Sequence, residues 1–235
     1  MKKLWDKLHR TIKYSSFYLE NDTPLLPTKS LVPQWYKEAP RWTTKTLDMS
    51  FSSGIKLCVP FLDSLTAGYV VTLPSDLYVT RLPDGIHLFT WKGSGNYVNK
   101  RKSVEAIGNF PIPTGFSSEQ FTWSMPAALE LPKGYSLLFT HPLNRHDLPF
   151  YTLSAIIDAD FPLHSGDVPF FLKDDFEGVL EKGTPIAQII PFKRENWQME
   201  HDSTLVEKAT INSYRTNSKI SGWYKQTHWK KKSYE

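Results

Sequence analysis

The sequence predicts an all-β protein. From residue 55 to residue 195, short runs of β-branched and aromatic residues alternate with Pro, Gly, Asp and Asn at intervals of roughly 10–20 residues. No segment with a helical period long enough to connect two parallel strands lies between these runs, so the pattern argues against repeated βαβ units. A chain of 235 residues with 40% hydrophobic residues has enough apolar surface to bury a substantial core. We therefore expect a sandwich or a distorted barrel.

The N-terminal region, residues 1–54, differs from this body in composition. Its first part predicts a helix of about three turns, because apolar residues recur there at helical spacing; they are Leu4, Trp5, Leu8 and Ile12. Residues 21–42 then contain four prolines, which predict an extended arm over the body, because proline fixes φ and removes a hydrogen-bond donor. We expect Trp35, Tyr36 and Trp42 to pin this arm by burying aromatic surface.

The remaining chain divides into the body, residues 55–195, and a basic C-terminal extension, residues 196–235. Within the body, the loop-rich stretch at about 92–120 resembles an insertion. In the extension, apolar residues at helical spacing predict one short helix; they are Leu205, Val206, Ala209 and Ile211. The two ends of the chain are therefore predicted to be arms around a β-rich body.

Charge and cysteine content exclude several classes of function. The net charge is +4, and because the basic residues are concentrated at the two ends, the body itself is mildly acidic. A nucleic-acid groove through the body is therefore not expected, although the basic, aromatic tail "WYKQTHWKKK" could meet an anionic partner. The single cysteine, Cys58, excludes an intramolecular disulfide and has apolar neighbours that predict burial. No apolar run approaches the ~20 residues of a membrane span, and the start lacks a signal peptide, so we expect a cytoplasmic protein.

Four short motifs occur in an order and at separations that carry a family resemblance. They are "TAGYVVTLPSDLYV" (66–79), "LPKGY" (131–135), "AIIDADF" (155–161) and "EKGTPIAQII" (181–190). Together they resemble the conserved motifs of the dUTPase family. The resemblance implies a dUTPase-like β-clip fold and a homotrimer with sites between subunits. A weaker likeness, in "VPQWYK" and "HPLNRHDLPF", is to uncharacterised proteins of tailed phages, which implies host cytoplasm or the virion as the location.

The resemblance also implies roles for particular residues. Asp160 would orient the water that attacks the nucleotide, Asp158 would support the same strand, and Phe161 would pack on the sugar. Gln188 falls on a glutamine of the family motif. The His and Asp residues of "HPLNRHD" show no familiar metal-ligand spacing, so no protein-ligated metal is predicted, and Mg²⁺ is expected only together with a bound nucleotide.

Several departures from the family pattern favour an altered site. The Arg-Ser pair that grips phosphates is replaced within "THPLNRH" (140–146), where Asn144 and Arg145 are the candidate substitutes. The family's glycine-rich C-terminal arm is also missing. Two readings stay open: a degenerate nucleotide site with binding or dNTP pyrophosphatase activity, or a structural and interaction module that contacts phage or host proteins. On structural grounds alone, the Asp158/Asp160 pair is an ordinary strand end and Gln188 satisfies backbone groups.

Overall fold

The computed structural model describes residues 10–17, 25–44, 51–101, 110–163, 166–218 and 222–235. It is built from short strands, with four helices in these ranges: α1 (Gln34–Glu38), α2 (Val59–Thr66), α3 (Leu205–Ser218) and α4 (Trp223–Thr227). The strands are β1 (Lys13–Ser16), β2 (Leu25–Pro27), β3 (Trp42–Thr44), β4 (Phe51–Ser53), β5 (Tyr69–Thr72), β6 (Leu77–Arg81), β7 (His87–Trp91), β8 (Val98–Lys100), β9 (Phe121–Ser124), β10 (Ala127–Glu130), β11 (Tyr135–Thr140), β12 (Phe150–Thr152), β13 (Ala155–Asp158), β14 (Asp167–Leu172), β15 (Gly178–Leu180) and β16 (Pro185–Lys193). The predicted all-β fold class is confirmed.

The strands form small antiparallel sheets that share one core. The largest sheet has the order β13-β11-β16-β5-β2, and a four-stranded sheet has the order β12-β14-β9-β8. A three-stranded sheet, β15-β6-β7, and two ribbons, β1-β10 and β3-β4, complete the pairings of the described residues. In the five-stranded sheet, β11 lies between β13 and β16, so it supports the residues that follow both of these strands.

Aromatic side chains dominate the centre of the core. The ring of Trp123 stacks on that of Phe170 with centroids 3.6 Å apart, and Phe150 meets Trp123 edge-on at 5.0 Å. The indole N–H of Trp123 donates to the hydroxyl of Thr152 (3.1 Å), which itself donates to the carbonyl of Ile186 (2.6 Å). The buried polar atoms of Trp123 and Thr152 thus have partners, as a close-packed interior favours.

The structure corrects part of the prediction for the N-terminal region. Residues 1–9, which carry most of the predicted helix, lie outside the described residues, but Lys13–Ser16 is a strand paired with β10 rather than a helix. The proline-rich arm is not wholly extended, since it contains β2, a 3-10 turn and α1. Tyr36 is buried as expected, whereas Trp35 and Trp42 stay exposed. The arm is held mainly by strand pairing, because β2 forms an edge of the five-stranded sheet.

Two predictions within the body are also wrong in detail. The segment "GIKLCVPFLD" was expected to be a strand, but it forms a 3-10 turn and helix α2, with Pro60 in the first turn where its missing N–H costs nothing. Cys58 precedes this helix and is exposed, not buried. The 92–120 stretch, predicted to be loop-rich, contributes the short strand β8 to the four-stranded sheet. The helix predicted around Leu205 is confirmed as α3.

Candidate functional site

Two of the sequence motifs meet at one turn. The segment "LPKGY" leads into β11 and the segment "IDADF" leaves β13, and these strands are paired neighbours. The N–H of Leu131 donates to the carbonyl of Ala159 (2.7 Å), and the N–H of Gly134 donates to a carboxylate oxygen of Asp160 (3.0 Å). Gly134 has φ +84°, a conformation that favours glycine. The glycine turn therefore presents a backbone donor that fixes the Asp160 carboxylate.

Arg194, which directly follows β16, bridges the two carboxylates of this turn. Its guanidinium pairs with Asp158 (Nη1–Oδ1, 3.0 Å) and with Asp160 through its other terminal nitrogen. The Ser136 hydroxyl also donates to Asp158 (2.6 Å). The Ser136 hydroxyl and then the Arg194 guanidinium hold the pKa of Asp158 below its usual value. The Gly134 N–H and then Arg194 do the same for the pKa of Asp160. Both acids are consequently ionised and partnered at neutral pH.

Acid is expected to weaken this cluster. The pKa of each aspartate is lower in the folded chain than in the unfolded one, so their stabilising contribution is complete above the ordinary value of 3.8 and is lost as the pH falls through the lower folded values. The thermal midpoints of the wild type and Arg194→Gln, measured from neutral pH to below 3.8, should therefore converge in acid. The variant Arg41→Gln, which changes an exposed arginine elsewhere, should keep a constant difference from the wild type. A constant difference for Arg194→Gln would contradict the bridging role.

The turn also carries an exposed aromatic residue and borders an open strand edge. Phe161 has 53% of its surface exposed, although it directly follows the fixed Asp160. Strand β13 lies at the edge of its sheet and pairs only with β11 among the described strands. An edge strand presents backbone N–H and C=O groups that have no partner in the sheet. The open strand edge and the exposed ring therefore lie within a few residues of each other along the chain.

Gln188, the other residue that falls on a family motif, lies in the interior. Its Oε1 accepts a hydrogen bond from the N–H of Leu143 (2.9 Å), and its Nε2 donates to the carbonyls of Ser64 (3.1 Å) and Ala67 (2.7 Å). It is 1% exposed. These contacts support the interpretation that Gln188 satisfies backbone groups, and its contact with a ligand stays a prediction. Gln188 ties the 141–147 loop to α2.

The two candidate phosphate ligands lie on this same loop. Asn144 has φ +60° and donates from its amide to the hydroxyl of Ser64 (2.7 Å). Arg145 makes a two-point ion pair with Asp147, with its Nε and Nη2 each within 2.9 Å of a carboxylate oxygen. Burial lowers the pKa of His141, whose Nδ1 accepts from the N–H of Thr152 and whose Nε2 faces the carbonyl of Arg145 (3.0 Å). Within this chain, the side chains of Asn144 and Arg145 are therefore each bound to another side chain.

Within this chain, the predicted site residues lie in two groups that are not in contact. Asp158 lies opposite Ser136 on β11, whereas Gln188 lies opposite Thr140, four positions further along that strand. At about 3.3 Å per residue this is a separation of about 13 Å along β11. Asp158, Asp160 and Phe161 occupy one end, and Asn144, Arg145 and Gln188 the other. The residue that sequence reasoning missed is Arg194, and the only available signal was that two nearby carboxylates attract a cation.

The described residues limit the class of site. They contain no group of three or more His, Cys, Asp and Glu side chains placed to hold a metal ion. None of their helices has the length and apolar character to cross a membrane.

The comparisons with known proteins give a fold likeness and no sequence relative. No family model matches the chain, and no curated protein matches it significantly. Among solved structures, a mutant dUTPase of Staphylococcus bacteriophage 80alpha has a TM-score of 0.28 and 16% identity, covering 46% of this chain and 97% of its own. A second mutant of this enzyme, with dUpNHpp, has a TM-score of 0.25 and 16% identity, covering 46% and 98%. The 2'-deoxycytidine 5'-triphosphate deaminase of Agrobacterium tumefaciens has a TM-score of 0.36 and 11% identity, covering 84% and 54%.

At these TM-scores and identities, the likenesses carry no argument about the fold of this chain. A likeness of this size says nothing about activity. The function has to be derived from the site itself.

Proposed function

We propose that this chain binds a nucleotide at the turn formed by Asp158, Asp160 and Phe161, in an altered form of the dUTPase-like site. The observation that carries the proposal is the fixed Asp160 carboxylate beside the exposed Phe161 ring, at the end of the open edge strand β13. An exposed aromatic ring leaves apolar surface in water, so a ligand that covers it gains free energy. A nucleoside supplies both a flat or puckered ring to cover Phe161 and polar groups for the strand edge.

The edge of β13 suits the base of the nucleotide. A pyrimidine presents alternating donors and acceptors, which match the alternating N–H and C=O groups of an extended backbone. Contact between an aromatic side chain and a nucleoside is worth about 1–3 kcal/mol. The edge of β13 is held in place by its pairing with β11, so this strand needs little ordering when the ligand binds.

The charges of the turn favour binding over hydrolysis. A general base works best when its pKa lies near the operating pH, but Gly134 and Arg194 lower the pKa of Asp160. Two carboxylates and one guanidinium also leave a net negative charge, which opposes a triphosphate. We therefore expect weak or absent pyrophosphatase activity and little gain in affinity from dUMP to dUTP. Cations such as Arg145 would have to come from a second copy, consistent with the homotrimer implied by the motifs.

A thermal-shift titration tests this proposal. The wild type is titrated with dUMP, dUTP and dCTP, with and without Mg²⁺, because Mg²⁺ is expected to bind only with the phosphates. A nucleotide at about 100 times its Kd should stabilise the fold by about 2.7 kcal/mol. Asp160→Asn should reduce this stabilisation by at least half, because the fixed carboxylate is lost, and Phe161→Ala should act similarly through the lost ring contact.

The matched control is Asp175→Asn, which neutralises an exposed aspartate away from the turn. It should leave the nucleotide shift unchanged. The absence of a shift with every nucleotide at millimolar concentration would contradict nucleotide binding. Equal shifts for Asp160→Asn and Asp175→Asn would show binding elsewhere on the chain.

A second candidate function is a structural and interaction module, such as a virion-associated protein. The observation that favours it is the exposed segment after β16, where Trp197 and Met199 are 88% and 98% exposed. Large apolar side chains at such exposure are typical of surfaces that a partner covers. If no nucleotide binds, this is the remaining reading. Under the nucleotide reading the protein belongs in the cytoplasm, of the host cell if a phage encodes it.

A further inference from the structure

A cavity of about 440 Å³ lies apart from the Asp158–Phe161 turn. Its walls come from the β1-β10 ribbon and from strands β2, β5 and β16 of the five-stranded sheet, together with residues of the tail. The apolar part of the lining includes Ile12, Leu25, Leu129 and Ile189. Cavities of this size with apolar walls and a few polar groups are typical of small-molecule sites.

Arg10 supplies a positive charge at one end of this cavity. Its Nε donates to the hydroxyl of Tyr135 (3.2 Å), and no described residue pairs with its terminal nitrogens. Tyr135 lies opposite Lys193 on β16, four positions from the cavity residue Ile189, which is about 13 Å along the strand. A guanidinium held at one nitrogen still offers a planar pair of donors, the geometry that suits a carboxylate.

The tail borders the other end of the cavity and is itself anchored. The indole N–H of Trp229 donates to Asp63 (2.9 Å), and Lys232 forms an ion pair with the same carboxylate. The hydroxyl of Tyr69 donates to the backbone carbonyl of Glu235 (3.1 Å), and the ring of Tyr234 meets that of Tyr69 edge-on. The tail therefore places Ser233 and Glu235 in the lining.

We propose that this cavity binds a small amphipathic carboxylate, whose acidic group pairs with Arg10 and whose apolar part lies over Ile12, Leu129 and Ile189. The charge at the Arg10 end selects an anion there. Glu235 also lines the cavity, where its side-chain carboxylate accepts a hydrogen bond from Ser233 (3.1 Å) and its backbone carbonyl accepts one from Tyr69. The apolar walls select an aliphatic or aromatic body over a strongly hydrated one. This site is independent of the nucleotide turn.

Isothermal titration of the full chain with octanoate and with 1-octanol tests the proposal, because the two probes share an alkyl chain and differ in the anionic group. We expect octanoate to bind with one-to-one stoichiometry and at least tenfold more tightly than 1-octanol. Arg10→Met should weaken octanoate binding about tenfold and leave 1-octanol unchanged, since it removes only the charged partner. Ile12→Trp, which places a larger side chain in the cavity, should weaken both probes about tenfold.

The matched control is Arg41→Met, which removes the same charge from an exposed position outside the cavity lining. It should bind both probes like the wild type. Equal affinity for octanoate and 1-octanol, or equal loss in Arg10→Met and Arg41→Met, would overturn the assignment of Arg10. No binding of either probe at millimolar concentration would overturn the site. Circular dichroism of each variant confirms that the fold is retained.

Discussion

Replacing Gln188 with leucine should lower the free energy of unfolding by about 3–5 kcal/mol. The side chains are similar in volume, so the effect comes from hydrogen bonds. The substitution leaves the N–H of Leu143 and the carbonyls of Ser64 and Ala67 without their partner. Each buried polar group that loses its partner costs about 1–3 kcal/mol. Urea unfolding followed by tryptophan fluorescence measures the loss.

The matched control for this change is Gln198→Leu. Gln198 is exposed on the segment after β16, so its substitution should change the stability by less than about 0.5 kcal/mol. Similar stabilities for the two variants would contradict the role of Gln188. Since Gln188 holds the loop of Asn144 and Arg145 against α2, the variant should also loosen that loop. Faster amide hydrogen exchange at residues 141–147 is the expected sign.

The strand pattern and the motifs predicted much of the body. Their information is local, because alternating β-branched residues favour a strand whichever strand pairs with it. The "IDADF" and "KGY" segments lie side by side in the structure. Helix α2 was missed because "KLCVPFLD" is as apolar as a strand. In fact Pro60 occupies the first helical turn, where a missing N–H is harmless.

The composition of the site was less predictable than its position. Arg194 is 34 positions from Asp160, and only the pairing of β11 with both β13 and β16 brings them together. Likewise, Lys13–Ser16 directly follows the apolar stripe that predicted a helix, but its pairing with β10 makes it strand β1. Long-range strand pairing is not encoded in any one segment. The burial of Cys58 was also predicted wrongly, because burial depends on which distant residues pack against a side chain.

Replacing Gly68 with alanine adds only one methyl group but should strongly lower the free energy of unfolding. Its φ of +67° is disfavoured for alanine, and an added Cβ would lie 2.1 Å from the carbonyl oxygen of Ile189 on β16. The left-handed conformation alone costs about 1–2 kcal/mol. Because the contact is with backbone in the middle of the five-stranded sheet, it cannot be relieved by rotating a side chain. We expect a loss of at least about 3 kcal/mol in the free energy of unfolding.

Gly183→Ala separates the two causes of this loss. Gly183 also has a positive φ, +86°, but no atom lies within 4 Å of the position of an added Cβ. Its substitution should therefore cost only the conformational strain of about 1–2 kcal/mol. Equal losses in the two variants would show that strain alone acts at Gly68. A larger loss at Gly68 would explain the glycine of the "AGY" motif by the close approach of two backbones, with no catalytic role required. The carbonyl of Gly68 also accepts the N–H of Thr28 (3.1 Å), so the variant should loosen the N-terminal arm as well.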